Sequence, residues 1–138
     1  MREDRDLRVV AAIELVSPAN KDGPDSRRAF ASKCLAYLHQ GVGVVVVDVV
    51  TERTANLHAE VFTALGRDAG DSGTLPLYVA AYRTVTRRKK CRLQAWVEPL
   101  ALQAPLPTAP LWIDPVRAIP LDLETSYLAT CEALLVSA

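Results

Sequence analysis

The chain has 138 residues, half of them apolar, which is enough for one domain with a core of its own and too little for two. Sixteen Lys and Arg balance sixteen Asp and Glu, so no global field draws the molecule to nucleic acid or to an anionic membrane. Any such binding has to rest on a local patch, and balanced charge leaves little repulsion against self-association. No apolar run reaches the roughly 18 residues of a membrane span, and Met1-Arg2-Glu3-Asp4-Arg5-Asp6 lacks the apolar stretch of a signal peptide. Cys34, Cys91 and Cys131 are too widely spaced for zinc or a redox dithiol. They read as core thiols of a cytoplasmic protein.

Taken in order, the charged residues Arg2 to Asp6 form a turn or frayed start to a strand from Leu7 to Val16, whose apolar run Val9 to Val16 is broken only by Glu14. It reads as a buried strand that spills into the polar segment Ser17-Pro18-Ala19-Asn20-Lys21. A turn at Lys21 to Pro24 follows, then a helix over Arg27 to Gln40 capped by Asp25 or Ser26. Phe30, Cys34, Tyr37 and Leu38 make its apolar stripe, with Lys33 at the stripe's edge. Val42 to Val50 is apolar on both faces, as in a strand covered on both sides. Strand, helix and strand joined by short turns imply a right-handed parallel crossover.

The segment from Thr51 to Asn56 leads into a helix with Leu57, Val61 and Leu65 in register, ending at Gly66, and Arg67 to Thr74 reads as a loop. Leu77 to Val85 and Cys91 to Val97 form an antiparallel pair around the basic turn Arg87-Arg88-Lys89-Lys90. Six of the nine prolines fall between Pro99 and Pro120, which predicts an extended wrap without regular structure. A last helix capped by Asp122 puts Leu123, Tyr127, Leu128, Cys131 and Leu135 on one face, toward the sheet. The fold class is α/β, one mixed sheet with flanking helices, a proline-rich wrap and a terminal helix.

Ligand sites in open α/β sheets favour the carboxyl ends of the parallel strands. Here those ends supply Glu14, Ser17, Asn20 and Lys21 from the first strand, and Asp48, Thr51, Glu52, Arg53, Asn56 and His58 from the second. An ionised Asp48 in such a strand either has a basic partner or opens onto a cavity. Two carboxylates beside a lysine suit magnesium or manganese and a water that attacks a phosphodiester. A structural reading stands beside it, in which Glu14 pairs with Lys33 or Lys21, and Asp48 with Arg53. His39 complements a helix end, and His58, with no partner at metal-ligand spacing, reads as surface or capping. The basic turn is a solvated hairpin end or a phosphate contact.

The residues Ile13-Glu14-Leu15-Val16-Ser17-Pro18-Ala19-Asn20-Lys21, then Arg28, Phe30 and Lys33, then Val45-Val46-Val47-Asp48-Val49-Val50, resemble the bacterial domain-of-unknown-function family 4058. The likeness continues through Leu106-Pro107-Thr108 and Pro120-Leu121-Asp122-Leu123. That family is similar to the Uma-type proteins and the restriction-endonuclease-like PD-(D/E)XK superfamily. The resemblance implies that Glu14 binds a metal and that a lysine assists the attacking water. The lysine expected two residues on is Val16 here, so Lys33, or Lys21, takes its place. Family members carry a substantial part before this strand, so the resemblance also implies a fragment. Asp4 and Asp6 are poor substitutes for the motif's Asp, and an uncovered edge strand would favour a homodimer.

Three functions follow as expectations. The first is metal-dependent phosphodiester hydrolysis by Glu14 and Lys33 with nucleic acid as partner. The second is a non-catalytic interaction module of the same fold. The third is a small-ligand site using Ser17, Asn20, Lys21, Asp48, Arg53 and Asn56.

Overall fold

A computed structural model describes residues 7–134. The chain folds as α/β, with a mixed four-stranded sheet in the order β1-β2-β3-β4 and a separate two-stranded sheet, β5-β6. In the first sheet β1 (Ala11–Leu15) and β2 (Gly43–Asp48) are parallel, while β3 (Tyr78–Arg87) and β4 (Lys90–Pro99) are added antiparallel. The crossover between the parallel strands is α1 (Pro24–His39), and α2 (Leu57–Ala64) follows β2.

The alternation of a strand's side chains divides β2 and β3 between two cores. Val44, Val46, Tyr78, Ala80 and Tyr82 pack with Phe30, Ala31, Cys34 and Leu38 of α1 and with Leu57 and Val61 of α2. Val45, Val47, Val79 and Ala81 face the opposite way, onto Ala109, with Trp96, Leu111, Leu121 and Leu123 around them. The two-sided apolar character of Val42 to Val50 thus has its expected cause.

Several expectations are corrected. The first strand is not the buried one: it forms the edge of the sheet, and Val9, Val10, Ile13 and Leu15 are exposed. Its residues are apolar, but no helix or strand among those described covers their outward face. Helix α1 begins at Pro24 with Gly23 as its cap, ahead of Asp25 and Ser26, because proline is pre-set for the first helical position. The loop after α2 contains a short 3-10 helix, Gly70–Thr74.

The proline-rich stretch is partly regular. β5 (Thr108–Trp112) and β6 (Ala118–Asp122) pair as a hairpin with Pro110 directly opposite Pro120. The bond from Ile113 N–H to Arg117 O sets the alternation, so the proline pair falls where neither strand has to donate. Two prolines meeting at a non-bonded position cost the ladder nothing.

Helix α3 (Leu123–Ala133) is capped as expected, Asp122 accepting from Thr125 N–H at 3.0 Å. Of its predicted inward face, Cys131 is buried and Leu123 packs near Val45 and Val47, while Tyr127 and Leu128 are exposed; Leu135 lies outside the described residues. Cys34 is also buried, and burial pushes its thiol up to about 12. Cys91, expected in the core, is exposed on the far part of the β3-β4 hairpin. No helix among the described residues is long and apolar enough to cross a membrane.

Candidate functional site

In the parallel register Glu14 lies beside Val46, and Asp48 follows two residues on. Both carboxylates therefore stand on the helix side of the sheet, near the ends of adjoining strands. They do not converge, because each has a lysine of its own.

Asp48 is sealed. Its Oδ2 is 2.7 Å from Lys21 Nζ with both side chains fully buried, and its Oδ1 accepts the Val50 N–H at 3.0 Å. Lys21 also donates to Val50 O and Arg53 O at 3.4 and 3.3 Å. Lys21 is delivered there by the 3-10 turn Pro18–Lys21. That turn is fixed by Asn20 Oδ1, which accepts from both the Ser17 N–H and the Ser17 hydroxyl. An ion pair out of water is tolerable only with such additional bonds. Ser17 and Asn20 thus set a structural lysine in place.

Arg53, expected on Asp48, instead pairs with Asp22 at 2.8 Å on the surface, because Lys21 already fills the space over Asp48. Asn56 caps α2, accepting from Ala59 N–H at 2.8 Å and donating to Ser72 O and Leu75 O. The groups proposed for a small ligand are therefore spent on protein partners. A concavity of about 380 Å³ lies elsewhere, lined by Ala59, Thr63, Arg67 and Gly70 among others.

Glu14 is held differently. Its Oε1 is 2.6 Å from Lys33 Nζ, and the lysine side chain is half exposed while that of Glu14 is 17% exposed. Lys33 leans over the Phe30 ring at 5.6 Å from α1, two turns from the helix start. The hydrogen bond to Glu14 raises the Lys33 pKa, so the ammonium stays charged. Of the two strand-borne carboxylates, Glu14 and Asp48, only Glu14 keeps access to solvent while paired with a lysine.

The basic turn is a two-residue hairpin end, with Arg88 and Lys89 both at positive φ. Arg87 sits opposite Lys90, and both are exposed, as is Arg92. Because β3 runs away from its pairing with Asp48 at Tyr78, this cationic end lies at the opposite end of the sheet from the strand exits. Arg83 is engaged locally, 3.8 Å over the Trp112 ring and bonded to Gln94.

His39 is exposed at the end of α1, in keeping with its expected place. His58 is not on the surface. It is 2% exposed, with Nδ1 2.5 Å from the Tyr82 hydroxyl and Nε2 3.0 Å from Ser72 Oγ, and its N–H donates to Tyr78 Oη. Ser72 donates onward to Ala69 O, so it accepts from Nε2–H and the Tyr82 hydroxyl donates to Nδ1. Burial lowers the His58 pKa to about 4. The sequence signal for this network was the tyrosine pair Tyr78 and Tyr82 on the inner face of a strand.

No family model, curated protein or solved structure matches the chain.

Proposed function

We propose that the chain carries a restriction-endonuclease-like core in which Glu14 and Lys33 form the reacting half of a magnesium- or manganese-dependent phosphodiesterase centre. The observation that supports it is the Glu14–Lys33 pair itself, charged atoms 2.6 Å apart at a solvent-accessible strand edge. Among the described residues no three His, Cys, Asp or Glu side chains converge, so an all-protein cage is not available. Magnesium needs less, because it takes one or two carboxylates and completes its shell with waters and substrate phosphate. Glu14 would hold such an ion, which when bound would polarise the phosphate and acidify a water.

Lys33 supplies fixed positive charge. Its raised pKa makes it a poor base, so its role is to neutralise charge gathering on the phosphate oxygens rather than to take the water's proton. The Lys21–Asp48 pair holds the Ser17 to Lys21 turn against the end of β2 and so fixes the exit of the Glu14 strand. With one accessible carboxylate the chain alone is a weak nuclease.

The test is thermal unfolding with manganese or magnesium, with and without a short DNA duplex, on wild type and Glu14→Gln. A site at about 100 times its dissociation constant stabilises the fold by roughly 2.7 kcal/mol. The expected shift appears in wild type, is absent in Glu14→Gln, and in Lys33→Met loses the part that depends on DNA. No shift in wild type sinks the reading.

A second reading, a non-catalytic interaction module of the same fold, is favoured by the complete sealing of Asp48 by Lys21, which spends on structure a carboxylate that a nuclease would use. Two partners fit these readings: nucleic acid, at the Glu14–Lys33 pair in the first and at the exposed basic turn in the second, and a second copy of the chain at the edge of β1.

A further inference from the structure

The outer edge of β1 has no strand against it among the described residues, and two bonds decide which of its groups face outward. Gly43 N–H donates to Val10 O, and Val16 N–H donates to Val47 O. A residue's N–H and C=O leave a strand on the same side. The even-numbered residues from Val10 to Val16 therefore spend theirs on β2, and Ala11, Ile13 and Leu15 turn theirs outward. Side chains alternate as well. Within β1, Ala11, Ile13 and Leu15 share one face, with Ile13 45% and Leu15 71% exposed; an extended approach to the strand would add Leu7 and Val9, which are 87% and 60% exposed. Glu14 belongs to the other face, and in the same extended approach Arg8 would join it.

We infer that this edge takes a second copy of the chain, paired antiparallel across a two-fold axis at Ala11. Outward-turned residues have to oppose outward-turned residues, which leaves few registers. With Ala11 against itself, Glu14 of each copy faces Arg8 of the other, Ile13 faces Val9, and Leu15 faces Leu7. Centring the pairing on Ala12 would set Glu14 against Val10, and centring it on Ile13 would set Glu14 against Ala12. Opposite charges directly across a ladder stabilise it and like charges do the reverse, so charge alone selects the Ala11 register. The same register lays an unbroken apolar strip across both strands. A self-complementary patch of this kind is what a two-fold interface requires, and the net charge of zero offers no opposing repulsion.

The pairing joins two four-stranded sheets into one and brings Arg8 of the second copy beside each Glu14. It holds whether or not Glu14 and Lys33 handle phosphodiesters.

The experiment is sedimentation equilibrium of the full chain over a wide concentration range, with three changes. Wild type is expected at twice 15.0 kDa at the upper end. Ala11→Pro removes an outward N–H without touching the β2 ladder, and is expected as a folded monomer with unchanged circular dichroism. In a Cys91→Ser background, Ala11→Cys is expected to form a covalent dimer on mild oxidation, since facing residues of a bonded antiparallel pair lie about 5.5 Å apart at Cα. Val10→Cys and Ala12→Cys are expected to stay largely uncrosslinked. A wild type that is monomeric throughout, an Ala11→Pro variant that still dimerises, or crosslinking at Val10 or Ala12 as efficient as at Ala11 overturns the inference. Ala11→Pro leaves Glu14 and Lys33 in place, so its metal-dependent thermal shift reads the phosphodiesterase proposal separately.

Discussion

Lys21 and Asp48 show how much a single pair can weigh. Lys21→Met leaves a fully buried carboxylate without its counter-charge, and the expected loss is about 3–5 kcal/mol by chemical denaturation. The double change Lys21→Met with Asp48→Asn should recover much of that loss, since both charges are gone. Sequence reasoning established that Asp48 needed a partner or a cavity. The expected partner was Arg53; that Lys21 serves instead was not legible, because the answer depends on the 3-10 turn that swings Lys21 back over the strand end. His58 makes the complementary case. Its folded-state pKa of about 4 lies below the ordinary 6.5, so the unfolded chain binds the proton more readily. The contribution is thus fully present above pH 6.5 and lost as pH falls through about 4, for a change of about 3 kcal/mol. The change in unfolding free energy between pH 7 and pH 4 should differ by about that amount between wild type and His58→Gln.

At the scale of elements, the hairpin β5-β6 comes up directly against Gly43. A Cβ built there would stand 2.0 Å from Trp112 O, a backbone atom that cannot step aside alone. Gly43→Ala is therefore expected to cost about 1–3 kcal/mol or more, read as a lower denaturant midpoint with altered tryptophan fluorescence. Nothing in the run Val42-Gly43-Val44 announces this, since a glycine opening a strand has no preferred meaning until its neighbour across the sheet is known. The helices and the long strands were legible for the opposite reason: their apolar spacing is set by local geometry, period 3.6 or 2. The proline-rich hairpin was missed because each proline argues against a strand individually. Pro110 and Pro120 are accommodated only by facing each other across a register that no single stretch encodes.

For the whole molecule, both cores share β2 and β3, so neither can melt and leave the other intact. Tryptophan fluorescence, reporting Trp96 and Trp112 on the hairpin side, and far-ultraviolet circular dichroism, to which α1 and α2 on the other side contribute most of the helix, should give coincident unfolding curves. Separate transitions would show that the hairpin is an independent unit. The sequence by itself determined the α/β class, the parallel crossover, the antiparallel pair and its basic turn, the Asp122 cap, and the placing of Glu14 and Asp48 at neighbouring strand exits. These follow from periodicity, capping and turn chemistry, which act over a few residues. Only the tertiary structure decided that the first strand is an edge, that Asp48 is closed by Lys21 while Glu14 meets Lys33 in the open, and that His58 is buried. Each of those outcomes turns on which distant segment fills the space beside a residue, and that is fixed by packing across the sheet rather than by the residue's own neighbours in the chain.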